Sequence, residues 1–174
     1  MKTRFILSLL LVPITIISCS TSPSTKISDR AREKYDSVTS LAYDYKMFPE
    51  EIAMEYLRLG EDDFDRIYDG KRVLTAGRIK NLLFFDEDGD IVNADDSFFS
   101  ISEVWIELFS WWRDSENEPW EESEFKCEFT ADDDNDLDEF TEQLRVGDEV
   151  VIRGFLYGPN FLEECYLLYY GSNQ

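Results

Sequence analysis

The stretch KRVLTAGRIKNLLFF, residues 71–85, marks the point where the hydrophobic pattern of this chain changes its period. Before it, apolar residues recur at about 3.6-residue spacing, which favours helices; within it they recur at about every second residue, which is typical of a half-buried β-strand. Gly77 lies inside the stretch, and glycine within a strand often marks a bulge or the corner of a barrel. The sequence therefore predicts β-structure from residue 71 onward.

Four further stretches have the same strand-like character. They are FFSISEVWIELFSWW (98–112), FKCEF (125–129), EVVIRGFLYG (149–158) and LEECYLLYY (162–170). A short helix is predicted at about 137–144, where acidic residues at its start suit the helix dipole. Five strands with a helix between the third and fourth are the order expected of a small closed barrel of the OB type. We therefore expect a mainly β protein with a five-stranded OB-fold barrel over residues 71–174, carrying an acidic and aromatic insert at about 98–124.

The segment before the barrel is predicted to be a helical N-terminal extension, residues 29–70. Ala31 and Tyr35 have helical spacing in a first segment over 29–46. Pro49 is suited to the first turn of a second helix, and Gly60 stands where that helix would stop. A further helical turn is expected to end at Gly70.

The N-terminus has the features of a bacterial secretory signal. Lys2 and Arg4 precede an apolar run at residues 5–17, which is too short to cross a bilayer as a helix. Residues 16–19, Ile-Ile-Ser-Cys, also resemble the lipobox of bacterial lipoproteins, in which the cysteine receives a diacylglyceryl group and becomes the first residue after cleavage. We therefore predict a signal peptide at 1–18 and a lipidated tether at 19–28, with Cys19 as the lipid attachment site. The alternative is an ordinary cleaved signal with an incidental cysteine.

The predicted anchor sets the expected location. Acyl chains hold a soluble domain on a membrane because each buried CH₂ contributes about 0.8 kcal/mol. The Ser/Thr-rich stretch at 20–28 is the kind of polar segment that makes a flexible tether. We expect an exported domain anchored in the cell envelope, with the outer membrane favoured because Ser20 is no obvious retention signal.

Several short motifs, taken in order, carry a resemblance to a known family. They include Tyr68-Asp69-Gly70-Lys71, Thr75-Ala76-Gly77, residues 125–129, Val146-Gly147-Asp148 and Cys165 in the final strand. Over residues 50–170 the chain resembles the tRNA_anti-like family of bacterial OB-fold proteins, many of them predicted lipoproteins. The resemblance implies an OB barrel and does not imply tRNA binding.

Cys127 and Cys165 remain once Cys19 is assigned to lipid. In an exported protein, an even remainder of cysteines suggests a disulfide. In OB barrels the third and fifth strands are neighbours, and strand alternation directs Cys127 inward with Phe125 and Phe129, and Cys165 inward with Leu167 and Tyr169. Closing the loop of about 39 residues between the cysteines would stabilise the fold by on the order of 4 kcal/mol. The alternative is two buried free thiols that pack as small apolar side chains.

Composition argues against catalysis and against nucleic-acid binding. The chain has no histidine and a formal net charge of −21. Without histidine, the commonest general base and most zinc sites are missing, so we expect neither an enzyme nor a cofactor. Binding to phosphates requires clustered Lys and Arg, whereas the basic residues here are scattered among acids. We therefore expect no nucleic-acid partner.

Two acidic clusters have closely spaced oxygen ligands of the kind that bind calcium. A calcium-binding loop of EF-hand type beginning at Asp132 would need glycine and glutamate where Leu137 and Gln143 stand. The cluster at 86–90 has its glycine in the wrong place. Solvated turns are the favoured interpretation, and we predict no metal site.

The remaining candidate is an aromatic surface with an acidic rim at about 105–120. Trp and Tyr are enriched where a rigid apolar face meets a partner, and the four tryptophans of the chain all lie in this stretch: Trp105, Trp111, Trp112 and Trp120. We expect a monomer that docks a basic envelope protein or peptide there. The alternatives are that these rings fill the barrel, or that the same face binds an oligosaccharide or a small ligand.

Overall fold

The computed structural model describes residues 26–93, 101–113, 118–131 and 137–172. Its helices are α1 (Asp29–Ser37), α2 (Pro49–Leu59), α3 (Glu61–Tyr68) and α4 (Leu137–Gln143). Its strands are β1 (Tyr45–Lys46), β2 (Arg72–Asp86), β3 (Ile91–Val92), β4 (Ile101–Trp112), β5 (Glu121–Thr130), β6 (Glu149–Leu156) and β7 (Phe161–Gly171). The prediction of a mainly β chain is confirmed.

The first helix is shorter than the sequence suggests. The Ser28 hydroxyl accepts a hydrogen bond from the Ala31 amide at 3.3 Å and so caps α1 at its start. The helix ends at Ser37, because Val38 adopts an extended conformation (φ −64°, ψ 128°). The rest of the predicted helical segment 29–46 forms a single 3₁₀ turn and then the two-residue strand β1.

The second and third helices meet at Gly60. The Glu51 carboxylate accepts a hydrogen bond from the Phe48 amide at 2.8 Å, which satisfies a free donor at the start of α2. Gly60 has φ 77°, a left-handed conformation that favours glycine. It ends α2 and lets α3 begin at the next residue.

The sheet closes on itself through β2. In order, β2 pairs with β4, β4 with β5, β5 with β7 and β7 with β6, and β6 pairs again with β2. β2 pairs with both ends of this series of strands. Its residues Arg72–Arg78 pair with β6, and its residues Ile79–Asp86 pair with β4. Gly77 lies near the end of the stretch paired with β6, and a Cβ atom there would stand 3.1 Å from Leu108 Cδ1. Glycine at this position therefore allows β2 to lie close to β4.

The side chains of the sheet divide between two cores. The main core lies within the closed sheet and is covered by α2, α3 and α4; among its fully buried members are Phe64, Ile106, Leu108, Phe125, Phe129 and Leu162. A second cluster packs α1 onto the outside of β2 and β6 through Tyr35, Phe48, Leu74, Ala76 and Val151. The extension is therefore packed against the sheet.

A buried carboxylate also connects the extension to the sheet. Glu149, at the start of β6, is only 2% exposed. It accepts a hydrogen bond from the Ser28 amide at 2.8 Å and another from the Ser28 hydroxyl. The Arg78 guanidinium lies 3.8 Å from the same carboxylate.

The region predicted as an insert, about 98–124, is built into the sheet where the structure describes it. Residues Glu103–Trp112 of β4 pair with Glu121–Thr130 of β5 in continuous antiparallel register. Beyond Leu108, β4 has β5 as its neighbour and no longer pairs with β2. The two strands therefore extend past the rest of the sheet as a hairpin.

Candidate functional site: the outer face of β4

Alternate residues of β4 face opposite sides of the sheet. The inward set is fully buried in the main core and comprises Val104, Ile106 and Leu108. Strand geometry places the residues between them on the outer surface, and the aromatic members of this outward set are Trp105, Phe109 and Trp111. We call these residues, with their outward neighbours on β2, β5 and β7, the Trp105 face.

Trp105 is the centre of an aromatic group drawn from three strands. Its ring centroid lies 5.1 Å from that of Phe85 on β2 and 6.1 Å from that of Phe161 on β7. The indole N–H donates a hydrogen bond to the Glu103 carboxylate. These contacts fix the orientation of the ring while leaving it partly exposed.

A lysine is held against this ring. Lys126 Nζ lies 5.1 Å from the Trp105 ring centroid and 3.7 Å from Glu107 Oε1. Glu107 is 5% exposed and also accepts a hydrogen bond from Asn81 Nδ2 at 2.8 Å. An ammonium group within about 6 Å of an aromatic ring is attracted by the negative face of the ring, so ring and carboxylate hold the cation together.

A similar arrangement recurs four residues further along β4, at Phe109. Lys80 Nζ lies 6.0 Å from the Phe109 ring centroid, and 3.2 Å and 3.1 Å from the carboxylates of Glu122 and Glu124. The hydrogen bonds to Glu124 and then Glu122 raise the pKa of Lys80. The Trp105 face thus contains two lysines, each placed between an aromatic ring and carboxylates.

Glu128, the cross-strand neighbour of Trp105, is a further carboxylate on this face. Burial raises the pKa of Glu128, and repulsion from Glu103 and Glu163 raises it further. No lysine or arginine in the described part of the chain forms a salt bridge with Glu128 or Glu163. Glu103, Glu128 and Glu163 therefore form an acidic group that has no salt bridge within the described residues.

The four tryptophans predicted as one docking surface do not share a surface. Trp105 and Trp111 are outward residues of β4, whereas Trp112 points the other way and packs on Tyr56 of α2, with ring centroids 5.5 Å apart. Trp120 lies beneath the Arg113 guanidinium, which is 4.6 Å from its ring centroid. Trp112 therefore lies apart from the Trp105 face, and the role of the four tryptophans in binding a partner stays a prediction.

Sequence reasoning missed Phe85, Phe161 and Lys126 as members of this site. They lie on three different strands and meet only because β4 lies between β2 and β5, and β7 follows β5. The available signal was strand alternation: Lys126 lies between the inward residues Phe125 and Cys127 and must therefore face outward.

Two further open sites are lined by residues that the structure describes. A cavity of about 300 Å³ beside the hairpin is lined by Trp112, Arg113, Glu118, Pro119 and Glu121. A groove of about 420 Å³ on the extension is lined by Lys46, Met47, Glu51, Met54, Glu55 and Tyr68. In that groove Glu55 is already engaged by Arg58 at 2.5 Å.

Cys127 and Cys165 are both fully buried, and no disulfide joins them in the structure. Cys127 is in register with Leu162 of β7, three residues before Cys165. Burial raises the pKa of the Cys165 thiol, and its interaction with Cys127 raises it further. The disulfide stays a prediction. Tyr169, expected on the same side as Cys165, instead packs in the second cluster, because the register between β6 and β7 shifts near Val151.

The remaining predicted sites are only partly described. Cys19 lies outside the described residues, and no helix within the described ranges is long and apolar enough to cross a membrane. In the cluster at 86–90, the Asp86 carboxylate accepts hydrogen bonds from the amides of Asp88 and Asp90, both at 3.0 Å, and so serves the turn itself. The described residues contain no group of three potential metal ligands; residues 132–136 fall outside them.

Comparison with known proteins gives little further information. No protein-family profile matches this chain, and no curated protein matches it. Among solved structures, the chain is similar to a small single-stranded DNA-binding protein from Streptomyces coelicolor, with a TM-score of 0.30 and 15% identity, covering 59% of this chain and 91% of that protein. Membership of the tRNA_anti-like family stays a prediction.

Proposed function

We propose that this chain is a non-catalytic lipoprotein of a bacterial envelope, anchored through Cys19, whose OB-type barrel binds a basic protein or peptide on the Trp105 face. The observation that carries the proposal is the pair of lysines already held on this face. Lys126 on Trp105 and Lys80 on Phe109 each combine a ring with carboxylates. A partner's lysine or arginine side chains would meet the same chemistry beside Glu128 and Glu163.

Charge complementarity favours a basic partner over a nucleic acid. The Trp105 face and its edge carry six carboxylates for two lysines, and the carboxylates belong to Glu103, Glu107, Glu122, Glu124, Glu128 and Glu163. Aromatic rings can stack bases, but single strands also require a positive groove along the backbone. A polyanion would be repelled here.

Ring geometry favours a peptide over an oligosaccharide. Trp105 is tilted by 50° from Phe85 and by 56° from Phe161, so the three rings do not form a flat platform. Lys126 also lies over the Trp105 ring. A sugar would have to displace this lysine, whereas a basic side chain can bind beside it on the carboxylates.

The test uses full-length mature protein in detergent micelles and a peptide in which lysine alternates with threonine. We expect saturable binding by calorimetry that weakens as salt is added, because the contacts are between exposed charges. Trp105→Ala should reduce the affinity by about tenfold, the size of effect found when an aromatic hot-spot residue is removed. Trp105→Phe should retain most of it.

A matched charge change provides the control. Glu128→Lys should abolish binding, whereas Glu33→Lys, the same change on the exposed side of α1, should weaken it only through net charge. Equal effects of the two reversals, or unchanged affinity in Trp105→Ala, would show that the surface is wrongly chosen. Saturable binding of cell-wall sugars without binding of the peptide would favour the oligosaccharide function instead.

A further inference from the structure

The strand β5 has one edge that its neighbours leave open. It pairs with β4 along its whole length, from Glu121 to Thr130. On the other side it pairs with β7 only at Lys126 and Cys127. Among the described residues, the first half of β5, residues 121–125, therefore has a strand on one side only.

The backbone of this half is oriented for pairing. The Lys126 amide donates to the Asn160 carbonyl at 2.9 Å, so it points away from β4 and toward the β7 side. Backbone groups of alternate strand residues point to the same side. The N–H and C=O groups of Glu122 and Glu124 consequently point toward the open edge.

The side chains of the edge select what can pair with it. Glu121, Glu122 and Glu124 place three carboxylates within four residues, and the first two are exposed. Like charges directly across a strand pair are destabilising, so this edge opposes pairing with a second copy of itself, a common use of charge on edge strands. The same carboxylates favour a basic strand, and Lys80 shows that a cation fits between Glu122 and Glu124.

We propose that a segment of the basic partner pairs with residues 121–125 of β5 as an added strand, with lysine or arginine at every second position. Added strands obtain affinity from backbone hydrogen bonds and specificity from alternate side chains. One set of alternate side chains lies beside Glu122 and Glu124 at the border of the Trp105 face. The partner's other side chains would lie on the side of Glu121 and Ser123 and are uncharged. The inference rests on the proposed function, because it describes how the same partner is held.

The experiment compares two peptides of equal composition with full-length protein in micelles. In one, lysine alternates with threonine; in the other, the lysines are consecutive. We expect the alternating peptide to bind about tenfold more tightly, since cross-strand pairs and the ladder act together. Hydrogen exchange should show the amides of Glu122 and Glu124 protected on binding, and N-methylation of alternate peptide amides should remove the preference.

A proline substitution isolates the backbone contribution. Glu122→Pro removes a donor that points to the open edge and leaves the amides that point to β4, which is the position where strands tolerate proline. Glu122→Gln makes the same charge change and keeps the donor. We expect Glu122→Pro to bind the alternating peptide at least several-fold more weakly than Glu122→Gln, with unchanged exchange protection of the core.

The outcomes separate this inference from the proposed function. Equal binding of both peptides, with Glu122 and Glu124 unprotected but with dependence on Trp105 retained, overturns the added strand and leaves the docking face in place. Loss of the dependence on Trp105 overturns both. A dimer that protects the two amides without peptide would mean that a second copy occupies the edge, which also overturns the inference.

Discussion

The Glu149 carboxylate at the start of β6 accepts hydrogen bonds from both the amide and the hydroxyl of Ser28, which lies 121 positions earlier in the chain. Ser28 also caps α1. One buried carboxylate therefore stabilises the point where the chain enters the folded domain, and it ties the predicted tether to the sheet.

This link predicts a stability effect. Glu149→Ala should lower the free energy of unfolding by about 2 kcal/mol, because it removes two hydrogen bonds to a charged group and leaves Arg78 without its counter-ion. Urea denaturation measures the loss, and hydrogen exchange should show α1 opening first. Glu33→Ala, on the exposed side of the same helix, should have little effect. Unchanged α1 protection in Glu149→Ala would mean that apolar packing alone holds the helix.

The buried thiols predict a redox-dependent stability. If Cys127 and Cys165 are bridged in the exported protein, the intact mass should rise by two hydrogens on reduction. Reduction should also lower the urea midpoint, since the disulfide restricts the conformations of the unfolded chain. Cys127→Ser serves as the control, because its midpoint should not respond to reductant. An unchanged mass would mean that Cys127 and Cys165 are thiols that pack among apolar side chains.

Glu128 predicts a pH dependence. Its pKa is raised in the folded state, by burial first and then by Glu103 and Glu163. The stability that protonation contributes is therefore fully present below the unfolded pKa and is lost as pH rises through the folded pKa. Glu128→Gln should raise the urea midpoint at pH 7, and this gain should shrink as the pH falls into the carboxyl range. A gain in urea midpoint that does not depend on pH would show that the ionisation of Glu128 is not its cause.

The same carboxylate predicts proton release on binding. A cationic side chain beside Glu128 favours its ionised form, so affinity for the lysine–threonine peptide should increase from pH 5 to pH 7. Calorimetry in two buffers of different ionisation enthalpy measures the protons released. In Glu128→Gln both the pH dependence and the release should be smaller; identical release in the variant would assign the proton to another group.

The anchor predicts the chemical form of the N-terminus. Intact mass from a membrane fraction should show a chain beginning at Cys19 with added acyl mass, and Cys19→Ala should leave the signal uncleaved and unlipidated. A cleaved Cys19→Ala chain without lipid would support the ordinary signal peptide instead.

Much of the architecture follows from local patterns. The change of period at residue 71 locates the start of β2 at Arg72, and Pro49 and Gly60 bound α2. Alternation within a strand correctly directs Cys127 and Phe129 inward, because side chains of a strand alternate between its faces whatever the strand pairs with. The predicted first helical segment, 29–46, is longer than α1. Helical spacing of a few apolar residues does not ensure a helix, and the chain becomes extended at Val38.

The composition of the site depends on contacts between strands. Trp105 meets Phe85 and Lys126 only because the register of β4 with β2 and β5 makes them its diagonal neighbours, and register is set by the packing of the whole core. The same holds for Ser28 and Glu149, and for the open edge beside Glu122. Sequence alone therefore specified the elements and which side of each strand is buried, whereas the tertiary fold decided which outward residues stand together, because that depends on partners far apart in the chain.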